Sequence, residues 1–213
     1  MITMTFVLLG LTALVSFLAF NNANIIEKLI FHPPALSRGE HYRWISCGFV
    51  HADLFHLVFN MYAFYLFGKM VEPAFGQLFG DKAGFLYVLL YLSAIGVSMV
   101  PSYFQHKDDF RYNSLGASGA VSAIVFAGIL LQPTMGMGIF PIPFFIPGFL
   151  FGPLYLGVSY YLAKRGQGNI NHSAHIWGAM YGVVFLAITT SFMSDYPLLS
   201  SFWEAVRNYA WFR

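Results

Sequence analysis

Residues 116–131 read GASGAVSAIVFAGILL and carry no charged side chain. They lie inside an uncharged stretch that runs from residue 112 to residue 163, with Pro133 and Pro141 near its middle. Crossing the ~30 Å hydrocarbon core of a bilayer takes about 20 helical residues, and proline interrupts a helix. The stretch therefore predicts two membrane-spanning helices, at about 117–132 and 145–163.

The whole chain has the composition of a membrane protein. Hydrophobic residues make up 58% of it and charged residues only 9%, whereas soluble domains carry about 25% charged residues. We predict an all-α membrane protein in a lipid bilayer, with residues 1–213 forming one domain built as a bundle of six transmembrane helices. The predicted spans lie at about 2–20, 54–71, 83–103, 117–132, 145–163 and 173–193. The second is expected to be short, because its uncharged run ends at Gly68.

The segments outside the spans differ in character. No basic residue precedes Lys28, so the first span is predicted to be a retained helix rather than a signal peptide. The long loop 21–53 mixes aromatic and polar residues, which is typical of a segment at the membrane interface; an ordinary surface loop is the alternative. The tail 194–213 resembles an interfacial helix and is given no role. Lysine and arginine are distributed too evenly over the remaining loops to set the orientation.

Several classes of function are disfavoured by what the sequence lacks. A net charge of +2 is too small for a nucleic-acid surface, and the single cysteine, Cys47, allows no intrachain disulfide. The H-E-x-x-H zinc motif does not occur, and His172 and His175 have no third ligand nearby, so we predict no metal and no cofactor. The predicted spans contain no carboxylate, which argues against an aspartyl protease and an ion-coupled transporter.

Four polar residues within the spans are candidates for function, because such groups are costly in a bilayer. Ser118 lies between glycines at a predicted helix N-terminus, where free N–H groups and the helix dipole favour an anion. His56 and Asn60 are one turn apart on the second span. His175 lies near the start of the sixth span. Each has an ordinary alternative, since serine is common in membrane helices and a His–Asn pair can simply join two helices.

Small residues predict that the fourth and sixth spans touch. Gly119, Ala123 and Ala127 are spaced four apart on the fourth span. His175 is followed on one face by Gly178 and Gly182. Such stripes allow helices to approach closely, and this contact would put His175 beside Ser118. General helix packing explains the stripes, but it does not require a serine and a histidine at their ends.

Together these residues resemble the rhomboid family of intramembrane serine proteases. The G-x-S-G box is residues 116–119, the A-H-x-x-G-x-x-x-G box residues 174–182, and the H-x-x-x-N box residues 56–60, with His51 five residues before His56. The first-loop signature E-x-W-R corresponds to residues 40–43, with Tyr42 in place of tryptophan. A tyrosine that packs on the catalytic histidine in some relatives is Ser122 here, which leaves the orientation of His175 unassigned.

The resemblance implies a serine endopeptidase that cuts single-span membrane proteins within or next to their transmembrane segment. Ser118 would be the nucleophile, His175 the base, and His56 and Asn60 the oxyanion donors. Span five and residues 166–171 would form a gate and a cap for substrates. Such a multi-pass protein would lie in the plasma (inner) membrane of a bacterium. The alternative is a non-catalytic relative that binds or escorts membrane clients.

Overall fold

The computed structural model describes residues 3–138, 145–165 and 170–210, and the chain there is almost entirely helical. Pro141, most of the predicted cap, and the last three residues of the tail lie outside these ranges. The helices are α1 Met4–Phe20, α2 Ala23–Leu29, α3 Pro33–Ser37, α4 Arg43–Ser46, α5 Leu54–Phe79, α6 Ala83–His106, α7 Ser118–Leu131, α8 Gly148–Arg165, α9 His172–Met193 and α10 Leu198–Arg207. Two 3₁₀ turns, Cys47–Phe49 and Gly80–Lys82, precede α5 and α6. A small antiparallel pair, β1 Gly136–Met137 and β2 Ile146–Pro147, lies between α7 and α8.

A helix covers each of the six predicted spans, but the helices differ in whether they are long and apolar enough to cross a membrane. Among the described residues, two stretches are long and apolar enough by length and composition, Leu54–His106 and His172–Met193. The first of these contains both α5 and α6. The apolar helices α1 and α7 are shorter. The count of six transmembrane helices therefore stays a prediction.

Helix α5 is longer than the predicted second span, since it continues to Phe79 rather than ending near residue 71. The additional turns are held by the core, in which the Phe75 and Phe79 side chains are buried. Glu72 also has a structural task, since its two carboxylate oxygens accept hydrogen bonds from the N–H groups of Met4 and Thr5 at 2.6 and 2.9 Å. A carboxylate at a helix N-terminus satisfies free donors and the helix dipole. Glu72 thus fastens the start of α1 to α5.

Helix α7 forms the centre of the bundle. Eleven of its fourteen residues are buried, and it packs against α5, α6 and α9. Its strongly apolar composition follows from this position, because a helix surrounded by other helices has no face that requires polar side chains. The predicted contact between the fourth and sixth spans is confirmed by the packing of α7 on α9.

The loop 21–53 is folded rather than extended, and Arg43 organises it. The buried Arg43 guanidinium donates hydrogen bonds to the carbonyl oxygens of Glu27 and Ile30 at 2.7 and 2.8 Å. It also forms an ion pair of 2.7 Å with Glu40. The hydrogen bond from Arg43 lowers the pKa of the Glu40 carboxyl, so that it stays ionised. The arginine of the first-loop signature therefore connects the end of α2 to α4.

Arg43→Ala is expected to lower the free energy of unfolding by roughly 2–3 kcal/mol, because the carbonyl oxygens of Glu27 and Ile30 lose their charged donor. Arg38→Ala is the matched control. Arg38 contacts the same carboxylate at 3.7 Å but its side chain is 59% exposed, so its removal should cost less than about 0.5 kcal/mol. Thermal unfolding in detergent measures both. Equal losses in the two variants would contradict the role given to Arg43.

Candidate active site

The turn before α7 presents Ser118 at the first position of the helix. Gly116 has φ +112°, a conformation that side chains other than glycine rarely adopt. A Cβ at Gly116 would lie 2.7 Å from Cε1 of His56, so the imidazole ring of His56 packs directly on this turn. No side chain caps α7, whose N-cap residue is Ala117. Its first N–H groups therefore have no intrahelical partner.

Glycines bring α9 into backbone contact with α7 just below Ser118 and His175. A Cβ at Gly178 would overlap the carbonyl group of Gly119, and a Cβ at Gly182 would overlap that of Ala123. Ser118 is the residue before Gly119, and His175 is one helical turn before Gly178. Both side chains are half-buried. Within the described residues neither of them makes a side-chain hydrogen bond. A hydrogen bond between a catalytic serine and histidine often forms fully only when a substrate is bound.

The His51 side chain fixes the turn that precedes Ser118. Its fully buried ring accepts a hydrogen bond at Nε2 from the N–H of Ala117 at 3.3 Å. Nδ1 therefore carries the proton and donates to the Ser16 hydroxyl at 2.9 Å, and that hydroxyl donates to the carbonyl of Phe49 at 2.9 Å. Burial lowers the pKa of His51 to about 3, which keeps this neutral form. A chain of hydrogen bonds thus runs from α1 to the residue preceding Ser118.

The folded pKa of His51 lies below the value of about 6.5 expected for an unfolded chain, so its contribution to stability is present above pH 6.5 and is lost as the pH falls. Between pH 7 and pH 5 this should cost about 2 kcal/mol of unfolding free energy. In His51→Asn that part of the pH dependence should disappear, while the other histidines contribute as before. Thermal unfolding of both proteins at the two pH values measures the difference, and parallel pH profiles would contradict it.

His56 and Asn60 lie in the first two turns of α5. The ring of His56 meets that of His51 edge to face, with centroids 4.9 Å apart. The Asn60 amide is buried and donates to the backbone carbonyl of His56 at 3.0 Å. An amide nitrogen carries two hydrogens, so one remains for a ligand. The structure brings His56 against the turn before Ser118.

Asn171 fixes the start of α9 and was not singled out as a site residue by the sequence, although an asparagine directly before an apolar helix is a recognisable N-cap signal. Its side-chain oxygen accepts from the N–H of Ala174 at 3.0 Å. Its Nδ2 lies within 2.9–3.2 Å of three hydroxyl oxygens, those of Ser102, Tyr112 and Ser114. The helix that carries His175 is therefore tied to α6 and to the chain leading to Ser118.

Tyr155 of α8 lies over His175, and nothing in the sequence distinguished it from the other tyrosines. Its ring is nearly parallel to that of His175, with an interplanar angle of 16° and centroids 6.3 Å apart. Its hydroxyl is 3.0 Å from the hydroxyl of Ser122 on α7. Tyr155 therefore connects α8 to both helices that carry the candidate residues.

Metal binding was not expected, and the described residues contain no group of three or more histidine, cysteine, aspartate or glutamate side chains that could hold an ion. The rings of His172 and His175 are 5.7 Å apart and lie at 78° to each other. The absence of a metal and of a cofactor stays a prediction.

The fold and this site define a helical membrane protein in which a serine and a histidine lie at the ends of two tightly packed helices. A family model of the rhomboid domain matches residues 38–192. The chain therefore belongs to the rhomboid family.

Individual relatives are similar over most of this chain. RHOMBOID-like protein 12, mitochondrial, from Arabidopsis thaliana is 29% identical over 176 residues, which cover 78% of this chain and 51% of that protein. Presenilin-associated rhomboid-like protein, mitochondrial, from Mus musculus is 30% identical over 145 residues, 65% of this chain and 35% of that protein. Rhomboid-like protein 11, chloroplastic, from Arabidopsis thaliana is 28% identical over 167 residues. The matches span about half or less of these curated relatives.

Proposed function

We propose that this protein is an intramembrane serine endopeptidase with Ser118 as nucleophile and His175 as base. The observation that carries the proposal is the backbone contact between α7 and α9. Gly178 and Gly182 lie against the backbone of Gly119 and Ala123, directly below Ser118 and His175. Packing alone would not require a hydroxyl and an imidazole at one end of this contact, whereas nucleophilic catalysis uses that pair.

The reaction proceeds in two acyl-transfer steps. A ring nitrogen of His175 takes the hydroxyl proton while Oγ of Ser118 bonds to the scissile carbonyl carbon. The C–N bond then breaks as His175 gives that proton to the leaving amine. In the second step His175 takes a proton from water, the hydroxide attacks the acyl-enzyme, and Ser118 leaves with the proton restored to its oxygen.

The negative charge on the tetrahedral intermediate needs donors close to the nucleophile. Three groups are suitable: the free backbone N–H of Ser118 at the start of α7, the ring of His56, and the remaining N–H of the Asn60 amide. The contact of His56 with Gly116, two residues before Ser118, supports its part in this set. Fixed donors aimed at a developing oxyanion supply the largest single contribution in many acyl transfers.

The proposed substrates are single-span membrane proteins. A helical substrate hides its carbonyl groups, so the cleaved segment has to unwind, and residues that disfavour helix assist this. Six membrane spans would surround the site, and water would reach it through an aqueous cavity. In a bacterium the protein would lie in the plasma membrane, whereas two of the relatives it resembles are named as a mitochondrial and a chloroplastic protein.

Reconstitution tests the proposal. The purified protein is placed in liposomes with a panel of fluorescent single-span substrates that carry glycine or other helix-disfavouring residues near one end of the span. Native protein should release a product that ends within or next to the span, and Ser118→Ala should not. A folded native protein that binds these substrates without cutting any of them would refute the proposal and favour the escort of membrane clients.

A further inference from the structure

The aromatic partner of His175 comes from α8 rather than from the turn of α7 that follows Ser118. Tyr155 stacks on the imidazole ring with centroids 6.3 Å apart, within the range of offset aromatic pairs. The position one turn after the nucleophile is Ser122, whose hydroxyl lies 3.0 Å from that of Tyr155. The small side chain at this position leaves room for the ring and supplies its hydrogen-bond partner.

The Tyr155 ring is held from several directions. Phe126 of α7 contacts it with centroids 5.7 Å apart, and Phe151 of α8 stacks on it at 6.0 Å. Ser122 fixes the hydroxyl end. The ring is therefore positioned by α7 and α8 together, and one of its faces is turned to α9. A side chain fixed in this way can restrict the rotation of an imidazole that has no hydrogen bond of its own among the described residues.

We propose that Tyr155 is the positioning residue for His175, and that the catalytic competence of the Ser118–His175 pair depends on the docking of α8 against α7. This inference rests on the proposed function. When α8 is docked, Tyr155 and Ser122 hold the imidazole in one orientation. When α8 moves away, the ring leaves with it, and His175 loses the surface that orients it. An enzyme built this way acts only when α8 lies against α7.

The contact predicts a change in kcat rather than in KM. Misplacing a catalytic base by about 1 Å can lower the rate about 100-fold. Tyr155→Leu removes the flat ring but keeps an apolar side chain, so kcat should fall roughly 10–100-fold while KM stays within about threefold and thermal stability changes little. Tyr155→Phe retains the ring and loses only the hydroxyl group, so it should recover most of the native kcat. Tyr161→Ala is the matched control, because Tyr161 is on the same helix but exposed.

A relocated tyrosine provides the sharper test. The double variant Ser122→Tyr with Tyr155→Ala removes the aromatic ring from α8 and places one on α7, in the space that the Tyr155 side chain leaves empty. It should be more active than Tyr155→Ala alone. Crosslinking α8 away from α7 should inactivate the native protein but leave this double variant active, because its ring no longer moves with α8.

The outcomes separate the two proposals. A native protein without activity refutes the proposed function itself. An active native protein whose Tyr155→Leu variant keeps its kcat refutes only the positioning role. In a third outcome, Tyr155→Leu lowers kcat, raises KM and lowers thermal stability together, and Tyr155→Phe restores none of them. That result shows a purely structural contact and also overturns the inference.

Discussion

Replacing Ser118 by alanine is expected to reduce cleavage of a membrane substrate about 10⁴-fold or more, because no other group can form the acyl-enzyme. The fold should not change, since Ser118 makes no side-chain hydrogen bond within the described residues. The thermal midpoint should therefore remain within about 2 °C of the native value. Initial rates of product release in proteoliposomes give the comparison.

His175→Ala should lose activity to a similar extent, and the double variant should be no worse than either single one, because residues that act as one unit are not additive. Ser191→Ala serves as the control. Ser191 lies on α9 far along the chain from His175 and only bonds to the carbonyl of Ala187. A Ser118→Ala variant that keeps more than about a tenth of the native rate would contradict the assignment of the nucleophile.

Gly178→Ala is expected to have the second large effect, on both stability and activity. The added methyl group would overlap the backbone of Gly119, and a backbone cannot move aside as a side chain does. The two helices would have to separate, which should cost about 3 kcal/mol of unfolding free energy and draw His175 away from Ser118. Thermal unfolding and the cleavage rate should fall together.

Gly76→Ala controls for the general effect of alanine in a helix. Gly76 is on α5 and a Cβ there would meet nothing within 4 Å, so alanine should be neutral or stabilise by up to about 1 kcal/mol. If Gly178→Ala behaved like Gly76→Ala, the close approach of α7 and α9 would be wrong, and with it the placement of His175.

The sequence was most informative where a single physical constraint dominates. Long uncharged runs predict helices to within a few residues, and small-residue stripes predict which helices touch, because only glycine permits the contact at Gly178. Helix α5 ends beyond the predicted span for a related reason. Charged residues after Gly68 indicate the end of an apolar run, but Glu72 satisfies the start of α1, a contact between residues distant in sequence.

Within the candidate site the motifs indicated Ser118, His175, His56 and Asn60. The structure places His56 against the turn before Ser118, and it brings the helices that carry Ser118 and His175 into backbone contact. Their catalytic roles stay predictions. Tyr155 could not be found from the sequence, because its position beside His175 depends on how α8 lies against α7. The motif position at Ser122 showed only that the usual aromatic side chain was missing, and the structure shows where another is supplied.

Reaction with a fluorophosphonate probe, followed by mapping of the modified peptide, tests the central claim most directly, because the probe modifies a serine only when its hydroxyl is activated. The account predicts one adduct, on Ser118, that is absent from Ser118→Ala and from His175→Ala while both variants remain folded. Native protein that is folded but unlabelled, under conditions that label an active serine hydrolase, would contradict it, and so would an adduct that persists in His175→Ala.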